Sequence, residues 1–275
     1  MYTMSKKKHK AVALAGKIKF NNISTTPNFQ EISPEDFQES LQQIIENPHL
    51  IKQKGEPVCG VSVALKIAAE IDPITLVKMA THLYVNGNYN AGSFMLRAIK
   101  SPKEASELQK DKNLSAVQVL HSSIKHTLNP ITGYNPNGEG LWHDITGITF
   151  PHQIKRFLKD YFRIEFMNNA PFNNGYDKIK KHISRGDRVM ALTNWGKMQH
   201  PEGKSTWFNW HYVLVKGIDK ADGKIKLFID DSSSTNNLST YTFKTEKQLK
   251  KAVRGIFCFN EVGTKERFIM EEVGF

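Results

Sequence analysis

The chain has 275 residues, 39% of them hydrophobic, enough to bury one substantial core. Its two cysteines, Cys59 and Cys258, exclude a disulfide framework and a cysteine zinc site, and no apolar run is long enough to span a membrane. The net charge of +11 invites a polyanion, but the lysines are dispersed and no nucleic-acid-binding signature is present, so nucleic acid is not an expected partner and the charge reads as solvated surface.

Residues 1–28 read as a flexible arm. Lys6-Lys7-Lys8-His9-Lys10 precedes an apolar stretch, Ala11 to Gly16, that is too short for a signal peptide, and Ser24-Thr25-Thr26-Pro27-Asn28 has loop composition. Cytoplasmic synthesis without ordinary secretory export is therefore expected. Residues 29–275 read as one domain with a helical and loop insertion at about 74–150. Ser33-Pro34-Glu35-Asp36 opens a helix with Ser as N-cap and Pro at the first position.

Gln53-Lys54-Gly55-Glu56-Pro57-Val58-Cys59-Gly60 leads into a second helix, in which Val61, Ala64, Leu65 and Ala68 recur at helical spacing until Asp72-Pro73. Cys59 falls in its first turn, where unpaired backbone N–H groups and the positive end of the helix dipole favour the nucleophilic thiolate. Gly60 allows close approach of backbone or substrate. Gln53, six positions before Cys59, can donate its side-chain amide to an oxygen that becomes negative in acyl transfer, with the Cys59 amide as the other donor.

Helices are expected over about Ile74 to Val85 and Asn113 to His126, then an irregular loop over 128–150 that borders the cleft and selects substrate. His143, Asp144 and His152 lack ligand spacing, so neither a metal nor another cofactor is expected. Tyr176 to Ile183 reads as a helix, and Arg185 to Leu192 as a turn into a strand. Trp195, Trp207 and Trp210 approach His211 in sequence, and read equally as cleft walls or as core. Trp210-His211-Tyr212-Val213-Leu214-Val215 reads as a buried strand, Gly217 to Gly223 as its connection, and Lys224 to Ser232 as a second strand. By alternation Asp231 continues the apolar face of Ile225, Leu227 and Ile229, whereas Asp230 shares the other face with Lys226 and Phe228. Asp231 therefore suits the role of orienting acid for His211; a bulge would exchange the two. Cys258 reads as a core strand residue.

Each of these residues has a plainer reading alone: Cys59 as small apolar packing, His211 as a satisfied core histidine, Asp231 as a turn residue. The order Gln, Cys, His, Asp, on helix, strand and strand, is harder to obtain by accident. It resembles the papain-like superfamily, in particular the double-glycine leader peptidase domains of bacteriocin exporters and their free-standing relatives, in which a Gln precedes Cys-Gly by six positions. The 152 positions from Cys59 to His211 are close to the separation of about 130–150 of papain-type enzymes. The chain departs from the pattern where Ser232 follows Asp231 in place of Pro, and in the long stretch before Asp177.

The resemblance implies an α+β papain-like fold, a helical lobe carrying Cys59 packed on an antiparallel sheet carrying His211 and Asp231. It makes Gln53 the oxyanion donor, Cys59 the nucleophile, His211 the base and Asp231 the orienting acid, with Gly60, Trp207 and Trp210 expected to line the substrate cleft. The expected reaction is thiol-mediated acyl transfer on a protein or peptide substrate, at a peptide, isopeptide or glutamine amide bond. Deamidation or transglutamination uses the same machinery, and a catalytically inactive binding module of the same fold is the alternative from another class. A basic bacterial-looking hydrolase without a secretory signal also resembles toxins or effectors delivered by specialised secretion, which implies an immunity or chaperone protein as a further partner.

Overall fold

The computed structural model describes residues 5–18, 29, 31–53, 58–90, 94–98, 114–128, 149–171, 175–203, 210–234 and 238–261. The chain is α+β and divides into two compact units, Met1–Phe162 and Arg163–Phe275.

The first unit is helical, with α1 (Lys6–Gly16), α2 (Pro34–Glu46), α3 (Cys59–Ile71), α4 (Pro73–Asn86), α5 (Ser115–Leu128) and α6 (Pro151–Phe162), beside a short hairpin of β1 (Asn88–Tyr89) and β2 (Leu96–Arg97). The helix ends follow their capping residues. Ser33 Oγ accepts from the Asp36 amide at 3.0 Å ahead of α2, Asp72 Oδ1 accepts from the Thr75 amide at 3.2 Å between α3 and α4, and Gly87 closes α4 at φ 70°. α3 is apolar nearly all round and buries Val61, Val63, Leu65 and Ile67, as a helix enclosed by others must.

One expectation for this unit is corrected. The basic N-terminus is not simply an arm: Lys6–Gly16 is a helix capped by Ser5, and its small residues Ala11 and Ala15 let it pack closely on α2 and α4, where Gln38 Nε2 donates to the Ala15 carbonyl at 2.8 Å. Within the segment read as an insertion, α4 and α5 pack on α1, α2 and α3 and bury Leu76, Leu83, Val117 and Leu120. The loop expected over 128–150 lies mostly outside the described residues.

The second unit is an antiparallel sheet in the order β3-β8-β4-β5-β6-β7, built from β3 (Ile164–Pro171), β4 (Arg188–Asn194), β5 (Trp210–Ala221), β6 (Lys224–Asp230), β7 (Ser239–Phe243) and β8 (Val253–Glu261). α7 (Tyr176–Ser184), α8 (Trp195–Gln199) and α9 (Glu246–Ala252) supply Ile179, Met198, Leu249 and Ala252 to one core with Val189, Val213, Val215, Ile225, Leu227 and Ile229. Cys258 belongs to this core at 0% exposure. β5 does not stop near Gly217. It runs on to Ala221, and the connection is the two-residue turn Asp222-Gly223, both at positive φ (53° and 71°), the conformation a tight hairpin needs. A register shift between Val215 and Gly217 absorbs the extra length as a bulge.

Candidate active site

β5 and β6 set the first half of the site. Leu214 pairs with Asp230 and Val215 with Ile229, so continuing the register puts Asp231 opposite Val213 with His211 as its diagonal neighbour on the same face. The contact is short: His211 Nε2 lies 2.6 Å from Asp231 Oδ1, with both residues buried. The bulge decides this outcome. Below it Gly217 pairs with Phe228, and carrying that register upward would set Asp230, not Asp231, on the face of His211. Asp230 instead faces the other side of the sheet and is itself fully buried.

Asp231 is an anion fixed in place. Burial pushes its carboxyl up, but the hydrogen bond and charge of His211, with the hydroxyl and amide of Ser233, hold it down to about 2. Ser233 Oγ donates to Oδ2 at 2.7 Å and Ser233 N to Oδ1 at 2.9 Å. Since the carboxylate only accepts, Nε2 of His211 donates to it. Thr193 Oγ1 donates to the His211 carbonyl at 2.9 Å, and Trp195 sets its ring edge-on to the imidazole with centroids 4.8 Å apart. Thr193 and Ser233 carry no motif of their own; their adjacency to the Trp195 and Asp231 positions was the only sequence signal.

The helical unit carries the second half. Cys59 is the first residue of α3 and half-buried; Val58 at the N-cap makes no side-chain capping bond, and Gly60 beside Cys59 is buried. An apolar cap residue leaves the first-turn amides without the side-chain oxygen that Ser33 and Asp72 supply to α2 and α4. Gln53 is half-buried in the segment that precedes α3. His211 and Asp231 are brought together in one unit; Cys59 and Gln53 belong to the other.

A polar seam runs between α3 and α5 in this otherwise apolar unit. Ser62 Oγ meets His121 Nε2 at 3.1 Å, with Ser62 also donating to the Val58 carbonyl at 3.1 Å. Lys66 and Lys125 are both fully buried, and Lys125 Nζ donates to Thr149 Oγ1 at 2.9 Å. Burial, then the Lys66 charge, pushes His121 down to about 3, so it is neutral; burial pushes Lys125 down to about 7, against the opposing pull of Cys59. Two lysines read as solvated surface are therefore interior.

Of the remaining expected site residues, Trp210 begins β5 and is half exposed, while Trp207 lies outside the described residues, as do His143 and Asp144, which were not expected to bind metal. His152 is exposed and stacks on Phe150 at 5.8 Å. A second His–Asp pair, absent from the expectations, joins His182 Nδ1 to Asp187 Oδ2 at 2.7 Å, with Asn260 Nδ2 donating to Oδ1 at 2.9 Å. His182 borders a cavity of about 460 Å³ that Lys178, Lys181, Arg185 and Lys250 also line.

No helix of the described residues is long and apolar enough to cross a membrane. No family model, curated protein or solved structure matches this chain.

Proposed function

We propose that the chain is a cysteine hydrolase of papain-like fold, acting by thiol-mediated acyl transfer on a peptide, isopeptide or glutamine amide bond. The observation that carries this reading is the buried His211–Asp231 pair at 2.6 Å, anchored by Ser233 and aligned by Thr193. Cys59 at the start of α3, after a cap residue that has no side-chain oxygen, supports it from the other unit.

In this reading Cys59 gives its proton to Nδ1 of His211 and attacks the carbonyl carbon, forming the S–C bond while the carbonyl electrons move to oxygen. The oxyanion is held by the Cys59 amide and the Gln53 side chain. Its collapse breaks the C–N bond, and His211 returns the proton to the departing amine; Asp231 stabilises the imidazolium throughout. Water then attacks the thioester with His211 again as base, releasing the acid and the thiol. A second amine in place of water gives transamidation.

The test is mass spectrometry of protein lysates treated with the wild type, Cys59→Ala and His211→Ala, reading mass changes as cleavage, deamidation or crosslinking. Both variants are expected to stay folded and to lose turnover by about 10⁶-fold, because nucleophile and base act as a unit. Retention of most activity in either would overturn the reading.

A further inference from the structure

The Ser62–His121 contact fixes how α3 and α5 lie against each other. Cys59 is one turn before Ser62 on α3, and Lys125 one turn beyond His121 on α5, so in an antiparallel crossing the two fall on the same side of that contact and face each other. Burial pushes the Lys125 ammonium down while Cys59 pulls it up, in keeping with that crossing. Lys125 has 0% exposure, and its ammonium donates to a neutral hydroxyl, Thr149 Oγ1, at 2.9 Å. Among the described residues no carboxylate pairs with it, and a buried ammonium so placed is costly in a helical core, where leucine or methionine would pack as well.

The other titratable groups at the seam account for none of this. His121 is neutral, and Lys66 sits on the far side of it along α3. The charged residues Glu35, Glu39 and Glu46 of α2, Lys78 of α4, and Lys155, Arg156 and Lys159 of α6 are exposed, Asp36 and Asp160 are half-buried, and Arg97 of β2 acts on His126. Lys52, buried ahead of α3, adds a further cation rather than an acid. The partner that suits the Lys125 ammonium is the thiolate of Cys59.

We propose that Lys125 is a positioning residue for Cys59, a fixed buried ammonium, oriented by Thr149, that holds the sulfur as thiolate ahead of its attack. The proposal rests on the hydrolase reading, and it adds a residue from the 74–150 region to the machinery. The two charges are reciprocal: the ammonium stabilises the thiolate once the sulfur's proton has passed to His211, and the thiolate favours the protonated amine against the effect of burial. No proton passes to substrate through Lys125, and His211 remains the base.

The experiment is the pH profile of iodoacetamide alkylation at Cys59, read by peptide mass spectrometry on the full chain, for the wild type, Lys125→Met, Lys125→Gln and Lys125→Arg. Cys258, fully buried and pushed up to about 12 by burial and by Asp187, reports unfolding in the same spectra because it reacts only when exposed. The wild-type midpoint is expected well below the ordinary thiol range, with Lys125→Met raising it by about one to two pH units, so that alkylation at low pH slows by about ten- to a hundredfold; Lys125→Arg restores it. A low wild-type midpoint that neither neutral variant moves overturns the role of Lys125 and leaves Cys59 as nucleophile. An ordinary wild-type midpoint overturns the activated cysteine itself and this proposal with it. Should Lys125→Met expose Cys258, Lys125→Gln decides, since its amide keeps the Thr149 contact without charge.

Discussion

His211–Asp231 and His182–Asp187 are both buried and short, at 2.6 Å and 2.7 Å, yet one joins two strands and the other closes a turn. In the first, residues 20 apart in sequence meet through Nε2, and the acid's carboxylate also accepts from Ser233. In the second, residues five apart meet through Nδ1 at the end of α7; the Asp187 amide also donates to the His182 carbonyl at 3.1 Å, and Asn260 ties the acid to β8. The nearest thiol to that pair, Cys258, is held up at about 12. The two contacts are alike in length and burial; what distinguishes the pairs is their anchoring and the nucleophile each could serve.

Conservative amidation separates them most sharply. Asp231→Asn keeps shape and a hydrogen bond but removes the charge that fixes the His211 tautomer, and the expected loss in kcat is about 10⁴-fold. Asp187→Asn is expected to leave kcat within a few-fold while lowering stability by about 1–3 kcal/mol, since it disturbs a buried network of three groups. Steady-state kinetics and urea melts on both variants check this. A severe kinetic defect in Asp187→Asn with a near-normal Asp231→Asn would reverse the comparison and move the candidate site to the cavity beside His182.

The oxyanion donor comes next in size. Gln53→Ala is expected to lower kcat by about 10²–10³-fold with little change in substrate affinity, because the amide matters when charge develops on the carbonyl oxygen. An unchanged kcat removes Gln53 from the site and leaves the first-turn amides of α3 as the donors.

How much of this was legible follows from the range of the forces involved. The Cys59 helix start and the phase of Asp231 were readable, because capping and strand alternation are local and binary. The reason Asp231 wins over Asp230 was not: the deciding bulge sits in β5, at a pairing no single strand reveals, though Asp222-Gly223 already marked the true turn. Lys125 and Lys66 read as surface because a buried lysine and a solvated one are the same letter, and only the packing of α3 on α5 tells them apart. The helix Lys6–Gly16 was hidden by its charge, with two alanines as its only buried residues.

The smallest expected effect tests whether Ser233 belongs to the catalytic pair or merely to the turn after β6. Ser233→Ala removes the 2.7 Å hydroxyl bond to Asp231 Oδ2 and keeps the amide bond to Oδ1, so His211 stays aligned while the carboxylate becomes a weaker anion. A loss of about 1 kcal/mol of support corresponds to about a fivefold fall in kcat. The folded-state value of Asp231 is depressed, from 3.8 to about 2, so its contribution to stability is present above about 3.8 and is lost as pH falls toward about 2. Ser233→Ala lets that value rise toward 3.8, so the contribution is smaller and is fully lost at a higher pH, and the acid-unfolding midpoint should move upward. No comparable shift is expected from Ser184→Ala, whose hydroxyl donates only to the Lys181 carbonyl at the end of α7. A fivefold rate loss with an unmoved acid midpoint would mean that Ser233 acts on the loop after β6 and not through the Asp231 charge.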